Sequence, residues 1–427
     1  MIDQAIETTK RAKTVLYACV LFNFTIGVLY AWSVLIPRLT APIEDGGYGW
    51  TASQAGYPFT VAILVFSLAM LIGGRLQDKL GPRWIVTAGG LLTGLGFIIS
   101  GNAGNSVTGF IFGFGIVSAT GMGFGYGCVT PPALKWHHPS EKGRISGLVV
   151  GGFGLSAVFY APITGFLLGA FGIQTTMVMI GTAALIVGVA AAQFVNNPPA
   201  GYTAAVPAGY TAPAQQVKNA SDDMTWLEMV KTRRFHMMFL MFLLASSVGV
   251  MVIGNMTTIA RTQVGITSAT ALALLVAFLA LTNTVGRVVG GKMSDKIGRL
   301  NALYVTFALQ MVNMVAFSFF TNVPTLLFGI IIVGFCFGTL LSVMPALCAD
   351  QYGLKNVGLN YGILFLAWGF SGSIAPIMSN KLYTWTDSFT STYIICAFMM
   401  AAMIYVNFLL KKDIENKDTE KDAEPAA

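Results

Sequence analysis

Roughly twelve stretches of mostly apolar residues, each long enough to cross a bilayer, follow one another along this chain. They lie at about 14–38, 53–75, 84–103, 107–134, 143–170, 172–195, 235–260, 266–291, 301–321, 324–349, 358–380 and 389–410. A crossing takes about 20 residues, because the hydrocarbon layer is about 30 Å thick and a helix rises about 1.5 Å per residue. Within hydrocarbon every backbone N–H and C=O must be satisfied internally, so segments of this length predict an all-α membrane protein of 12 helices. With 55% hydrophobic residues, 10% charged residues and a mean hydropathy of +0.69, the chain cannot cover a water-facing surface with polar groups. That balance excludes a soluble enzyme.

The charges sort by side of the membrane. Alternating the loops from a cytoplasmic N-terminus puts 21 of the 25 Lys and Arg inside; Arg38, Arg261 and Lys381 fall outside and Arg287 falls within a helix. Both termini are therefore expected in the cytoplasm, in a multi-pass protein of the cell (inner) membrane. The net charge of +7 reflects topology and calls for no nucleic-acid partner. Lys10, Arg11 and Lys13 precede an apolar run too long for a signal-peptide core, so the first helix is expected to stay attached. Cys19, Cys128, Cys336, Cys348 and Cys396 all lie in apolar segments, at spacings that suit neither a zinc site nor a disulfide framework. They read as packing residues. No cofactor and no metal are expected, and the expected state is a monomer.

The chain is also doubled. Gly73-Gly74-Arg75-Leu76-Gln77-Asp78-Lys79-Leu80-Gly81 returns as Gly290-Gly291-Lys292-Met293-Ser294-Asp295-Lys296-Ile297-Gly298, 217 positions later, each time between two apolar segments. Gly143, Gly147, Gly154 and Ser156 recur 215 positions later as Gly358, Gly362, Gly369 and Ser371, which makes the fifth and eleventh helices equivalents. Repetition of this kind is typical of secondary transporters. The repeated loop resembles the G-x-x-x-D-(K/R)-x-G-(R/K) signature of the major facilitator superfamily, and the resemblance covers the whole chain. It implies two pseudo-symmetric six-helix bundles, 1–195 and 235–411, joined by a cytoplasmic linker over 196–234 and followed by a tail at 412–427. It further implies that the second, fifth, eighth and eleventh helices line the faces where the halves rock, and the matched glycines would let those faces approach.

The linker carries a short tandem, Pro199-Ala200-Gly201-Tyr202-Thr203-Ala204 and Pro207-Ala208-Gly209-Tyr210-Thr211-Ala212, whose composition favours an extended strap. Met224 to Phe235 reads as an amphipathic lead-in lying on the membrane surface. In the repeated loops Asp78 stands among Arg75 and Lys79, and Asp295 among Lys292 and Lys296. Charge pairs or contacts with neighbouring helix ends there would form a conformational latch, and the basic residues would also enforce topology.

Acidic residues are nearly absent from the helices, and neither a metal cluster nor a catalytic constellation is visible. Against that background Arg287 stands out, about two turns inside the membrane from Asp295. Burying a guanidinium costs about 2.5–3.5 kcal/mol even on the lenient insertion scale. It reads either as a fixed cation whose planar fork grips a carboxylate, or as a structural partner of Asp295 or the interface. Asn283 shares its helix face one turn earlier. Tyr30 and Tyr126 are candidates to donate hydrogen bonds from an apolar wall, with plain packing as the other reading.

Around these residues the chain resembles one branch of the superfamily, the oxalate/formate antiporter family with its relatives that move lactate or pyruvate. The residues that carry this are Gly27-Val28-Leu29-Tyr30-Ala31-Trp32, Lys135-Trp136-His137-His138-Pro139 with Lys142-Gly143, and Asn360-Tyr361-Gly362. The resemblance implies that Tyr30, Tyr126 and Arg287 face a central pocket, with Arg287 on the substrate carboxylate. Two departures matter. Where the oxalate exchanger has a second cation, a lysine, this chain has Trp368, and one cation suits one carboxylate. Phe337, Phe365, Trp368, Leu29 and Leu341 would make the rest of the pocket apolar. Where animal monocarboxylate transporters place a proton-carrying aspartate four residues before the arginine, this chain has Asn283, so a travelling proton needs another carrier. The expected function is secondary transport of a small monocarboxylate, L-lactate or pyruvate, by proton symport. Oxalate/formate exchange is the alternative, and a non-transporting anion sensor a remote one.

Overall fold

The computed structural model describes the backbone of residues 2–204, 206 and 223–423, and the side chains of these except at 2–9, 30, 31, 52, 269, 376, 380 and 417–423. Among the described residues there are helices and turns and no strand. Among the described residues, eleven continuous helical runs are long and apolar enough to cross a membrane. The first four are α1 (Lys10–Thr40), α2 (Ala52–Leu80), α3 (Pro82–Gly101) and α4 (Val107–Trp136). The next run, Lys142–Ala192, has 51 residues and would be roughly 77 Å long if straight, more than twice the hydrocarbon thickness. Gly172, at φ 73° and ψ −178°, divides it into α5 (142–171) and α6 (173–192). The second six are α7 (Arg233–Val264), α8 (Ala269–Ile297), α9 (Arg299–Phe317), α10 (Val323–Tyr352), α11 (Val357–Thr386) and α12 (Thr390–Ala423). Twelve crossings therefore fall into two groups of six, as the doubled sequence predicts.

The repeated loop shows why it ends in glycine. Gly81 and Gly298 close α2 and α8 at φ 84° and 90°, a conformation that strains any residue with a Cβ, and α3 and α9 begin at the very next residue. The boundaries depart furthest from those read off the sequence at two places. α12 runs to Ala423, past the expected end near 410, and Arg234 of α7 holds Asp413 at 2.9 Å. The lead-in is two helices rather than one. A short helix at Trp226–Lys231 is opened by Thr225, whose N–H and hydroxyl both donate to the Glu228 carboxylate (2.7 and 2.8 Å), and Thr232 then breaks out of the helical conformation and caps α7 by accepting from Phe235 N.

The halves meet along two seams, α2 against α11 and α5 against α8, at the end of the bundle that carries the termini-side loops. Small residues set the spacing there. A Cβ on Gly74 would strike Gly358, and one on Gly143 would strike Gly291. The first copy of the linker tandem packs on the end of α4, where the Tyr202 hydroxyl donates to the Trp136 carbonyl at 3.0 Å and the Trp136 indole donates to the Asn196 carbonyl at 2.7 Å. The second copy, 207–212, lies outside the described residues.

Candidate functional site

Arg287 projects from α8 toward α5 and is 1% exposed. Its Nε donates to Asn283 Oδ1 at 2.8 Å, and its Nη1 donates across the seam to the Val150 carbonyl at 2.7 Å. The guanidinium carbon lies 5.8 Å from the Phe153 ring centroid, within cation–π range. Among the described residues no carboxylate pairs with Arg287, and Nη2 makes no hydrogen bond. Asp295 is taken instead by Arg299 and by the backbone N–H groups of Gly143 (2.8 Å) and Arg144 (2.6 Å), so the reading of Arg287 as its structural partner falls. What remains is one desolvated positive charge between the halves with a donor direction still open.

Glycine makes this approach possible. On α5, a Cβ at Gly154 would lie 2.9 Å from Thr284 Oγ1 and 3.2 Å from Arg287 Nε, and one at Gly147 would strike the Arg287 carbonyl. The neighbouring carbonyl of α5, Val149, accepts from the buried Asn23 Nδ2 of α1 at 2.8 Å. Two successive carbonyls of α5 are thus tied to different helices beside the cation.

An aromatic cluster adjoins Arg287. Tyr126 of α4 lies 5.2 Å from Phe153 and 5.3 Å from Phe365, and Phe365 stacks on Trp368 at 5.0 Å. Phe66 of α2 touches Tyr126, Phe153, Phe365 and Trp368 alike. Two polar atoms in the cluster, the Tyr361 hydroxyl and Trp368 Nε1, are buried without a hydrogen-bond partner among the described residues. The structure therefore brings together Arg287, Asn283, Tyr126, Phe365 and Trp368. Leu29 is buried on the 3-10 turn Gly27–Ala31 of α1, which packs on Phe153 and Ser156 of α5, and Leu341 is buried on α10. Phe337 is placed elsewhere: its ring packs on Gly249 of α7 and lines a cavity of about 10 Å³ with Gln310, inside the second half. The side chain of Tyr30 lies outside the described residues. Phe66, Phe153 and Tyr361 belong to the cluster without having been singled out. Tyr361 is legible in hindsight within Asn360-Tyr361-Gly362, whereas nothing distinguishes Phe66 or Phe153 among the 30 phenylalanines.

The repeated loops meet the opposite half through helix N-termini. Asp78 Oδ2 accepts from Leu359 N at the start of α11 (3.1 Å), as Asp295 does from Gly143 and Arg144 at the start of α5. The basic neighbours expected to pair with them do not: Arg75, Lys79, Lys292 and Lys296 are exposed and make no ion pair among the described residues. Their side chains leave the seam because the glycines and aspartates occupy its inner face. The cations found there are Arg299, Lys142 (2.8 Å from Asp350 Oδ1) and Lys135, within electrostatic reach of Asp78. In the adjoining loop His137 gives its Nδ1 to the Ala133 carbonyl at 2.8 Å, and burial lowers its pKa. Asn360 has a structural task, donating with Asn356 to the Met224 carbonyl and so fixing the linker's exit against α11.

The comparisons agree with this architecture. The chain is 28% identical over 364 residues, 84% of its length and 85% of the relative's, to an uncharacterized MFS-type transporter, YhjX, of Escherichia coli. It is 24% identical over 396 residues, 91% of its length and 90% of the relative's, to the oxalate:formate antiporter of Oxalobacter formigenes. Its fold superposes on the human organic anion transporter MFSD10 with a TM-score of 0.72, at 13% identity, covering 93% of this chain and 99% of that one. The model of the Major Facilitator Superfamily matches residues 19–321 and 311–426, and with twelve crossings in two equivalent sixes the chain belongs to that superfamily of membrane transporters.

Proposed function

We propose that this transporter carries a small monocarboxylate, with L-lactate or pyruvate foremost, together with a proton, by rocking its halves (1–195 and 235–411) about Arg287. The observation that carries this reading is the buried guanidinium, which has no carboxylate partner among the described residues and keeps a donor free beside an apolar aromatic wall. A monoanion neutralises a single cation, whereas the second carboxylate of a dianion would sit unpaired against Phe365 and Trp368. Asn283 orients the fork and, being an amide, carries no proton; the substrate acid itself is the carrier this arrangement leaves. In this reading the termini face the cytoplasm of a cell (inner) membrane protein. The helix-end contacts of Asp78 and Asp295 hold the cytoplasmic side shut, and the working unit is a monomer.

Exchange of oxalate for formate is the second reading, favoured by the near full-length similarity to a protein named for that exchange and opposed by Trp368. Purified protein in proteoliposomes separates them. Inward proton gradients are expected to drive accumulation of labelled L-lactate, with pyruvate competing and oxalate not. Gradient-independent exchange that oxalate blocks would overturn the monocarboxylate reading.

A further inference from the structure

Away from the central site, a cleft of about 220 Å³ opens beside the linker's exit, lined by Thr232, Arg233 and Arg234 at the start of α7, by Gln351 and Tyr352 at the end of α10, and by Asp413 of α12. Its two arginines differ. Arg234 is spent on structure: Nε holds Asp413 Oδ2 at 2.9 Å, Nη2 the Asp413 carbonyl at 3.3 Å, and Nη1 Gln351 at 3.3 Å. Arg233 lines the same cleft, is exposed, and has no hydrogen bond or ion pair among the described residues. With Asp413 offset by Arg234, the cleft carries one net positive charge. It offers a guanidinium fork, whose planar donors match phosphate oxygens, and the hydroxyls of Thr232 and Tyr352, which face each other at 3.3 Å.

The surroundings say which phosphate reaches it. Immediately before the cleft, the short helix Trp226–Lys231 exposes Trp226 (39%) and Leu227 (51%), a tryptophan and a leucine at the water-facing end of a membrane bundle. The helix that supplies Asp413, α12, also exposes Tyr405 (62%) and Phe408 (53%) about one to two turns deeper in the bundle. We infer that the cleft is a binding site for a phosphodiester monoanion, supplied by an anionic phospholipid whose headgroup meets Arg233 while its chains lie along α12. The single net charge favours an anionic lipid over a zwitterionic one, whose choline would meet the same arginines.

Thermal stability of the purified full-length protein in neutral detergent tests this, titrated with phosphatidylglycerol, with phosphatidylcholine and with inorganic phosphate. Phosphatidylglycerol is expected to raise Tm saturably by a few degrees, and phosphatidylcholine to have no such effect. Arg233→Ala should raise the concentration needed by roughly tenfold or more, the worth of one charged hydrogen bond, without lowering Tm in lipid-free detergent. Lys231→Ala, which removes an equal charge from the same surface but does not line the cleft, should leave the titration unchanged. Saturation by inorganic phosphate at the concentration that suffices for phosphatidylglycerol would overturn the lipid as the source. An unchanged titration in Arg233→Ala, or an equal loss in Lys231→Ala, would overturn the site.

Discussion

Gly74→Ala is a one-methyl wedge in the α2–α11 seam. Its Cβ would lie 2.5 Å from the carbonyl carbon of Gly358 and 2.9 Å from the nitrogen of Leu359, and it would strike the Gly358 carbonyl oxygen. All of these are backbone atoms, which no rotamer change moves aside, so the helices must separate locally, and the bond from Leu359 N to Asp78 at 3.1 Å lengthens with them. Overpacking of this size costs about 1–3 kcal/mol, and the state with this end apart bears none of it. The equilibrium should therefore shift by roughly 5- to 150-fold toward the open end. The gain in helix propensity from Gly to Ala is the same in both states and cancels. Spin labels at the exposed Lys79 and Lys355 report the separation of this seam by pulsed EPR. The expected outcome is a new, longer distance population in Gly74→Ala. Gly56→Ala, on the same helix with nothing within 4 Å of its Cβ, should leave the distribution as in the parent protein. Identical distributions in Gly74→Ala and the parent would refute the argument that this contact is confined to one state.

Arg287→Lys should reduce transport by about 100-fold or more, because a compact ammonium lacks the planar fork that reaches Asn283 and Val150 in separate directions while presenting a paired donor edge to substrate; normal uptake in proteoliposomes would remove Arg287 from the site. Asn283→Asp places a carboxylate 2.8 Å from the guanidinium Nε, and by neutralising it should weaken substrate binding at least tenfold, read as the KM for uptake. Trp368→Lys should admit a dianion, so that oxalate, inert toward the parent, becomes a competitor of lactate uptake; persistent indifference to oxalate would show that this position does not set charge selectivity.

What the sequence made legible follows from which signals are local. The crossings were readable because each is a long apolar run, and the doubling because glycines that must sit at positive φ, such as Gly81 and Gly298, leave a mark at a fixed spacing. Arg287 was readable because a charge in an apolar segment is anomalous by itself. Its tie to Val150 was not, since that bond joins residues 137 positions apart and uses a backbone carbonyl that every residue possesses. Phe337 and Phe365 were given the same role on composition, yet one turns inward to Gly249 and the other toward Tyr126, a difference set by helix rotation that residue type does not encode. The latch shows a similar division. The aspartates were identifiable, but the basic residues next to them point outward, and the cations they meet are Arg299, four residues on and across the turn at Gly298, and Lys135 of α4.

The two seams are related by the repeat and yet differ in what ties them. Asp78 with Leu359 and Asp295 with Arg144 are the same contact made twice, at positions 217 and 215 apart. Beside Asp295 the chain continues through Arg299 and Asp350 to Lys142, linking α8, α9, α10 and α5 by charge. Beside Asp78 the equivalent of Asp350 is Lys135, of opposite sign, and the linker's Asp223 supplies the second acidic group. The ion-tied seam is also the one that contains Arg287, whose Nη1 bond to Val150 is itself a tie between halves. Each Nη carries two N–H groups, so a carboxylate that bridges both Nη atoms shares Nη1 with that carbonyl. A carboxylate bound there would therefore meet the same guanidinium that ties α8 to α5, so the site and the seam have one residue in common.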